Sequence, residues 1–228
     1  MPPLKPKSLR HRMSTHVGSA PRAQTSPTPP THISCNILAT SFDNPFGYLS
    51  RKWNDQGQYY AFQQTQDADA LVVSIPYAAD NSHQLPIVAT NSPDPTLQYF
   101  GAVLQPGSLN DDFGPPPNYA YLVGTVLTPP DSPAIPGANS FDNNQHIESS
   151  IWMFGGQFGQ QLGAQWINRS PQWVDGVNSG YSRTPATTIM YLHDQERLII
   201  TGDPLWVFNN LGRAEILRFI CVPPVTPI

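Results

Sequence analysis

Proline constrains the folding of this chain more than any other residue. Its 26 prolines recur along the whole of the 228 residues. Each removes a backbone donor and fixes φ, which disfavours long helices and favours short extended segments between turns. From Ile33 onward the other residues agree. Runs rich in β-branched and aromatic residues follow at close spacing: ISCNILA, FGYLSRKW, QYYAF, ALVVSI, PIVAT, LQYFGAVL, YAYLVGTVL, SSIWMF, LGAQWI, ATTIMYL, RLIITG and ILRFICV. Polar turn signals separate them, such as NDQG after Trp53 and HDQE after Leu192. The pattern predicts an all-β fold, an antiparallel β-sandwich or barrel-like domain.

Within that pattern TTIMYLHDQERLIIT predicts a hairpin with a four-residue polar tip. The stretch from Trp152 to Trp166 predicts two strands joined by a Gly- and Gln-rich turn, with both tryptophans packed inside or across strands. One short helix is expected near the C-terminus, in GDPLWVFNNLG. Asp203 suits the N-cap, Pro204 the first helical position and Gly212 the stop, with Leu205, Phe208 and Leu211 sharing a face.

Charge divides the chain in two. Residues 1–31 hold Lys5, Lys7, Arg10, Arg12 and Arg22 and no acid, leaving 7 basic against 16 acidic residues, a formal −9, for the rest. An acidic body argues against a nucleic-acid surface there, because such affinity rests on clustered Lys and Arg. Residues 1–32 lack hydrophobic periodicity and are rich in Pro, Ser, Thr and Arg, the composition of a disordered basic arm. No apolar segment follows the basic residues, so no secretory signal is read there. Residues 33–228 are expected to form a single β-rich domain. No apolar stretch reaches the roughly 18 residues of a membrane span.

Cys35 lies in the first predicted strand and Cys221 in the last. A disulfide between them is one expectation, implying an oxidising compartment, and two buried free thiols are the other. The only N-glycosylation sequon is at Asn168, and a proline follows it.

Familiar catalytic motifs (GxSxG, HExxH, CxxC, a phosphate-binding glycine loop) are absent from the sequence. The pairs His193–Asp194 and His146–Glu148 fall short of a metal site, since two ligands do not make one. Asn110, Asp111 and Asp112, in a proline-rich loop, are the best oxygen cluster for Ca²⁺; otherwise no cofactor is expected. Aromatic residues carry the stronger signal. QWINRSPQWVDGVNSGY places Trp173, Asp175, Asn178 and Tyr181 in one loop. There an indole face can stack on a sugar ring while polar neighbours bind its hydroxyls.

Three stretches, FGYLSRKWNDQGQYYAF, IESSIWMF…LGAQWIN and PATTIMY…RLIITGD, together resemble a group of small β-rich proteins of mushroom-forming fungi. These are mostly secreted or at the cell surface and have no known activity. The resemblance spans about residues 34–222 and implies an extracellular β domain, with no catalytic residues to carry over. The expected function is a non-enzymatic surface or binding protein with a glycan, such as that of a cell wall, as ligand. The alternatives are a capsid-like subunit with a basic arm and a hydrolase whose site assembles only in three dimensions.

Overall fold

The computed structural model describes residues 32–42, 44–76, 84–114, 117–142, 144–155, 160–169, 173–174, 177–178 and 183–225. In chain order the strands are β1 (His32–Ser41), β2 (Asn44–Leu49), β3 (Phe62–Gln63), β4 (Val72–Pro76), β5 (Val88–Ala89), β6 (Tyr99–Leu104), β7 (Tyr119–Thr125) and β8 (Ile135–Pro136). They continue as β9 (His146–Glu148), β10 (Trp152–Gly155), β11 (Gln161–Ala164), β12 (Trp173–Val174), β13 (Val177–Asn178), β14 (Thr188–Leu192), β15 (Arg197–Thr201) and β16 (Ala214–Val222). One α-helix, α1 (Pro204–Asn210), lies between β15 and β16.

Eight of these strands close on themselves in the order β16-β14-β15-β7-β6-β5-β4-β1, and β1 pairs back onto β16. Every pairing in the ring is antiparallel, and because β1 pairs with β16 the fold is a closed barrel and not an open sandwich. Closure removes the sheet edges that would otherwise invite another chain. Three short extensions flank the ring: β10–β11 on β16, β2–β3 on β1 and β8–β9 on β6.

An eight-stranded barrel is narrow enough for side chains alone to fill. Alternate residues do so here: Cys35 and Ile37 from β1, Val73 and Ile75 from β4, Phe100 from β6, Leu122 from β7, Ile200 from β15 and Phe219 from β16. Trp152 is fully buried among them, stacked on Phe100 with ring centroids 4.7 Å apart. A second core lies on the other face of β6, β7, β14 and β15, built from Val103, Tyr121, Val123, Met190 and Ile199 with Ile147 of β9 and Val207 of α1. With both faces covered, all seven residues of β7 are buried. This explains why YAYLVGTVL reads as one continuous apolar run and not as an alternation.

The helix starts where expected, since the Asp203 carboxylate accepts the Trp206 N–H at 2.9 Å and Pro204 follows. Its buried face differs from the predicted one. Val207 is the buried residue, with Trp206 and Leu211 half-buried against the outer core, whereas Leu205 and Phe208 are exposed. The helix lies on the barrel wall, and a seven-residue helix buries only the stripe that faces that wall.

Cys35 and Cys221 are joined by a disulfide across a sequence separation of 186, both side chains buried. It links the strands whose pairing closes the ring, with Cys221 opposite Ile37 in the β1–β16 register.

Candidate functional site

Asn110, Asp111 and Asp112 belong to the loop between β6 and β7, which folds onto itself through amide side chains. The Asn110 Oδ1 accepts the Asp112 N–H at 3.1 Å. The Asn118 Nδ2 donates to the Asn110 carbonyl, the Asn110 Oδ1 and the Asp112 carbonyl, at 3.1, 2.9 and 2.9 Å. The carboxylates therefore point outward from the loop, toward other elements.

Asp111 receives two of them. The His146 Nδ1, on β9, lies 2.9 and 2.8 Å from its two oxygens, and the Arg169 Nη2 lies 2.8 Å away. A carboxylate only accepts, so the neutral imidazole carries its proton on Nδ1 and presents Nε2 as an acceptor. The Asp112 carboxylate accepts the Arg169 backbone N–H at 2.6 Å, and the Arg169 Nη2 also donates to the Ala134 carbonyl at 2.9 Å. Burial, opposed by that Arg169 N–H and reinforced by Asp111, holds the Asp112 carboxyl above the usual carboxylate range.

Beneath this pair lies Glu148, only 2% exposed. Both its oxygens lie 3.2 Å from the Ile167 N–H. Burial pushes its pKa well up, the nearby Asp111 charge adds to this, and the Ile167 and Ala134 N–H groups oppose it. Trp166, fully buried, donates its indole N–H to the Asp111 carbonyl at 2.7 Å and stacks on Phe113 with centroids 4.7 Å apart. Asn168 completes the contact: its Oδ1 accepts the Phe113 N–H at 2.8 Å, and its Nδ2 donates to the Phe113 carbonyl at 3.3 Å. With the side chain so engaged and 1% exposed, the sequon is closed off in the folded protein.

These contacts fasten residues 166–169, from which the chain departs toward β12. It returns at Arg183, whose carbonyl accepts the Asn168 N–H at 2.8 Å, while the Thr187 hydroxyl accepts the Trp166 N–H at 3.2 Å. The Arg183 guanidinium donates to the Asp131 carbonyl at 3.1 Å. Departing and returning segments are thus clamped to each other and to the barrel.

Between them β12 and β13 form a two-stranded antiparallel ribbon, a sheet separate from that of the barrel. Its register pairs Trp173 with Asn178 and Val174 with Val177. Opposite residues of an antiparallel pair occupy positions on one face, so the register groups Trp173 with Asn178. Asp175 and Tyr181 lie outside the described residues.

The fold thus joins two residue sets that the sequence keeps apart. The acidic loop meets Arg169, four residues before Trp173, through both aspartates. The oxygens of Asn110, Asp111 and Asp112 serve different internal donors. Among the described residues no group of three or more His, Cys, Asp or Glu is placed to hold a metal ion. From sequence His146 and Glu148 read only as an incomplete metal pair, Asn168 as a sequon and Trp166 as a packing residue, and Arg169 carried no reading. Glu148 gave no local signal, since its strand is the three residues His-Ile-Glu and its burial comes from the segments packed over it.

Comparison with protein-family models, curated proteins and solved structures finds no match to the chain. No helix among the described residues is long and apolar enough to cross a membrane.

Proposed function

We propose that the chain is a non-enzymatic surface or binding protein whose ligand face is the β12–β13 ribbon, with a carbohydrate such as a cell-wall glycan as ligand. The observation that carries this reading is the pairing of Trp173 with Asn178, in a ribbon lying in the chain between two segments, 166–169 and 183–187, that are hydrogen-bonded to each other. The register sets an aromatic residue opposite an amide residue, the two residue types that sugar recognition combines, one for the apolar face of the sugar and one for its hydroxyls. A recognition loop on a rigid scaffold also loses less entropy on binding. Trp152 and Trp166 are fully buried in packing roles, and Trp53 and Trp206 are partly buried against the two cores. The Cys35–Cys221 bridge suits an oxidising compartment, in keeping with an extracellular place and with the resemblance to fungal surface proteins.

Titration with β-1,3-glucan and chitin oligosaccharides, followed by tryptophan fluorescence, tests the reading. Binding should be saturable and should vanish in Trp173→Ala, while the melting temperature stays unchanged. A silent titration together with a negative glycan array would overturn it.

A further inference from the structure

We propose that Glu148 is a positioning residue for the β12–β13 ribbon: its buried carboxyl holds the segment from which the ribbon departs, and its proton sets how firmly that segment is held. The inference rests on the ribbon being the ligand face.

The geometry has three parts. First, Glu148 accepts the Ile167 N–H with both oxygens, and Ile167 lies two residues before Arg169, the last described residue before the ribbon. Second, Ile167 and Asn168 are each 1% exposed, so the segment cannot exchange its hydrogen bonds for water without moving. Third, the remaining anchors surround the same point: Trp166 on Asp111, Asn168 on Phe113 and Arg183, and Arg169 on Asp111, Asp112 and Ala134.

The charged groups around Glu148 make its protonation consequential. Asp111 acts on it from the β6–β7 loop, with Asp112 next in the chain, His146 lies two residues before it on β9, and the Arg169 guanidinium is already committed to Asp111. Ionisation would add a second negative charge near Asp111, on a carboxyl that is itself closed to solvent. The folded-state pKa is therefore raised above the unfolded one, chiefly by burial, with the Ile167 and Ala134 N–H groups opposing and Asp111 adding a smaller push. A group shifted in that direction contributes stability that is complete below its unfolded pKa and lost as pH rises through the folded value. The clamp should thus be tight in mild acid and loosen toward alkaline pH.

Arg169 and Arg183 supply a readout that needs no ligand, because trypsin cuts after each only when the clamp opens. Cleavage at these two bonds is followed from about pH 5 to about pH 9, each rate divided by that of the denatured chain at the same pH. In the wild type the normalised rate should rise by up to about tenfold per unit of pH between the unfolded and the folded value of the carboxyl, and level off above the folded one. Glu148→Gln keeps the acceptor oxygen without the titration and should give a flat profile. Glu148→Ala, which leaves the Ile167 N–H unpaired, should be cut rapidly throughout. A flat wild-type profile, or a Glu148→Gln profile that rises like the wild type, overturns the proposal; the first needs no variant to fold. Affinity for laminarihexaose over the same range is the second arm, expected to weaken with pH in the wild type and not in Glu148→Gln. No binding at any pH with the protease profile intact removes the carbohydrate reading and leaves the positioning role. Binding with the same pH dependence in both proteins removes the positioning role and leaves the carbohydrate reading.

Discussion

Tyr59 sits fully buried against Phe100 in the barrel core, and its hydroxyl makes no well-formed hydrogen bond, although Trp53 and Ser92 are near enough to offset part of the effect of burial on its pKa. Burial pushes its pKa up to about 12. An unpaired buried hydroxyl costs about 1–3 kcal/mol, so Tyr59→Phe should raise stability by about 1 kcal/mol, read as a higher denaturation midpoint at constant slope. Two residues earlier the tolerance is opposite. Gly57 has φ +76°, and a Cβ there would run into the Ser140 carbonyl. Gly57→Ala should therefore lose about 2 kcal/mol or more in the same measurement. Neither effect is legible in NDQGQYYAF, where the glycine reads as an ordinary turn and the tyrosine as an ordinary strand residue. Both depend on which distant backbone each residue meets.

Among the elements, α1 gives the sharpest contrast between what is legible and what is not. Its start was readable because Asp203 and Pro204 act on the local backbone, and Asp203→Ala should cost about 1 kcal/mol in thermal unfolding. Its buried face was not, because that depends on the wall the helix meets. Val207→Ala should cost about 2 kcal/mol, whereas Leu205→Gln and Phe208→Gln should stay within about 0.5 kcal/mol of the wild type. Strands followed the same division. Long runs such as β1, β6, β7, β14, β15 and β16 were evident from β-branched and aromatic composition. The two- and three-residue strands β8, β9, β12 and β13 escaped notice, since their pairing comes from neighbours and not from their own sequence. The candidate site was half legible for that reason. Trp173 and Asn178 drew attention by residue type alone, while Glu148 meets the Ile167 N–H and Arg169 meets Asp111 and Asp112 only once distant segments have come together.

For the molecule as a whole, closure of the ring and the disulfide are one event, since both join β1 to β16. In the chain-entropy picture a loop this long contributes about 5 kcal/mol. The double variant Cys35→Ala, Cys221→Ala should melt about 10–20 °C lower, taking about 2–4 °C per kcal/mol for a chain of this size. With both sulfurs buried, mild reductant should leave the folded protein unaltered, and alkylation should require denaturation with reductant together. The β1–β16 pairing also sets an order of events during synthesis. The front of β1 finds its β4 partner about forty residues later, but residues Asn36–Thr40 wait for β16, at the far end of the domain. At the pace of a ribosome that delay is on the order of tens of seconds. Throughout it the nascent chain exposes an unpaired strand edge and one reactive thiol, Cys35, so its yield in a cell depends on what shields that edge until the last strand emerges.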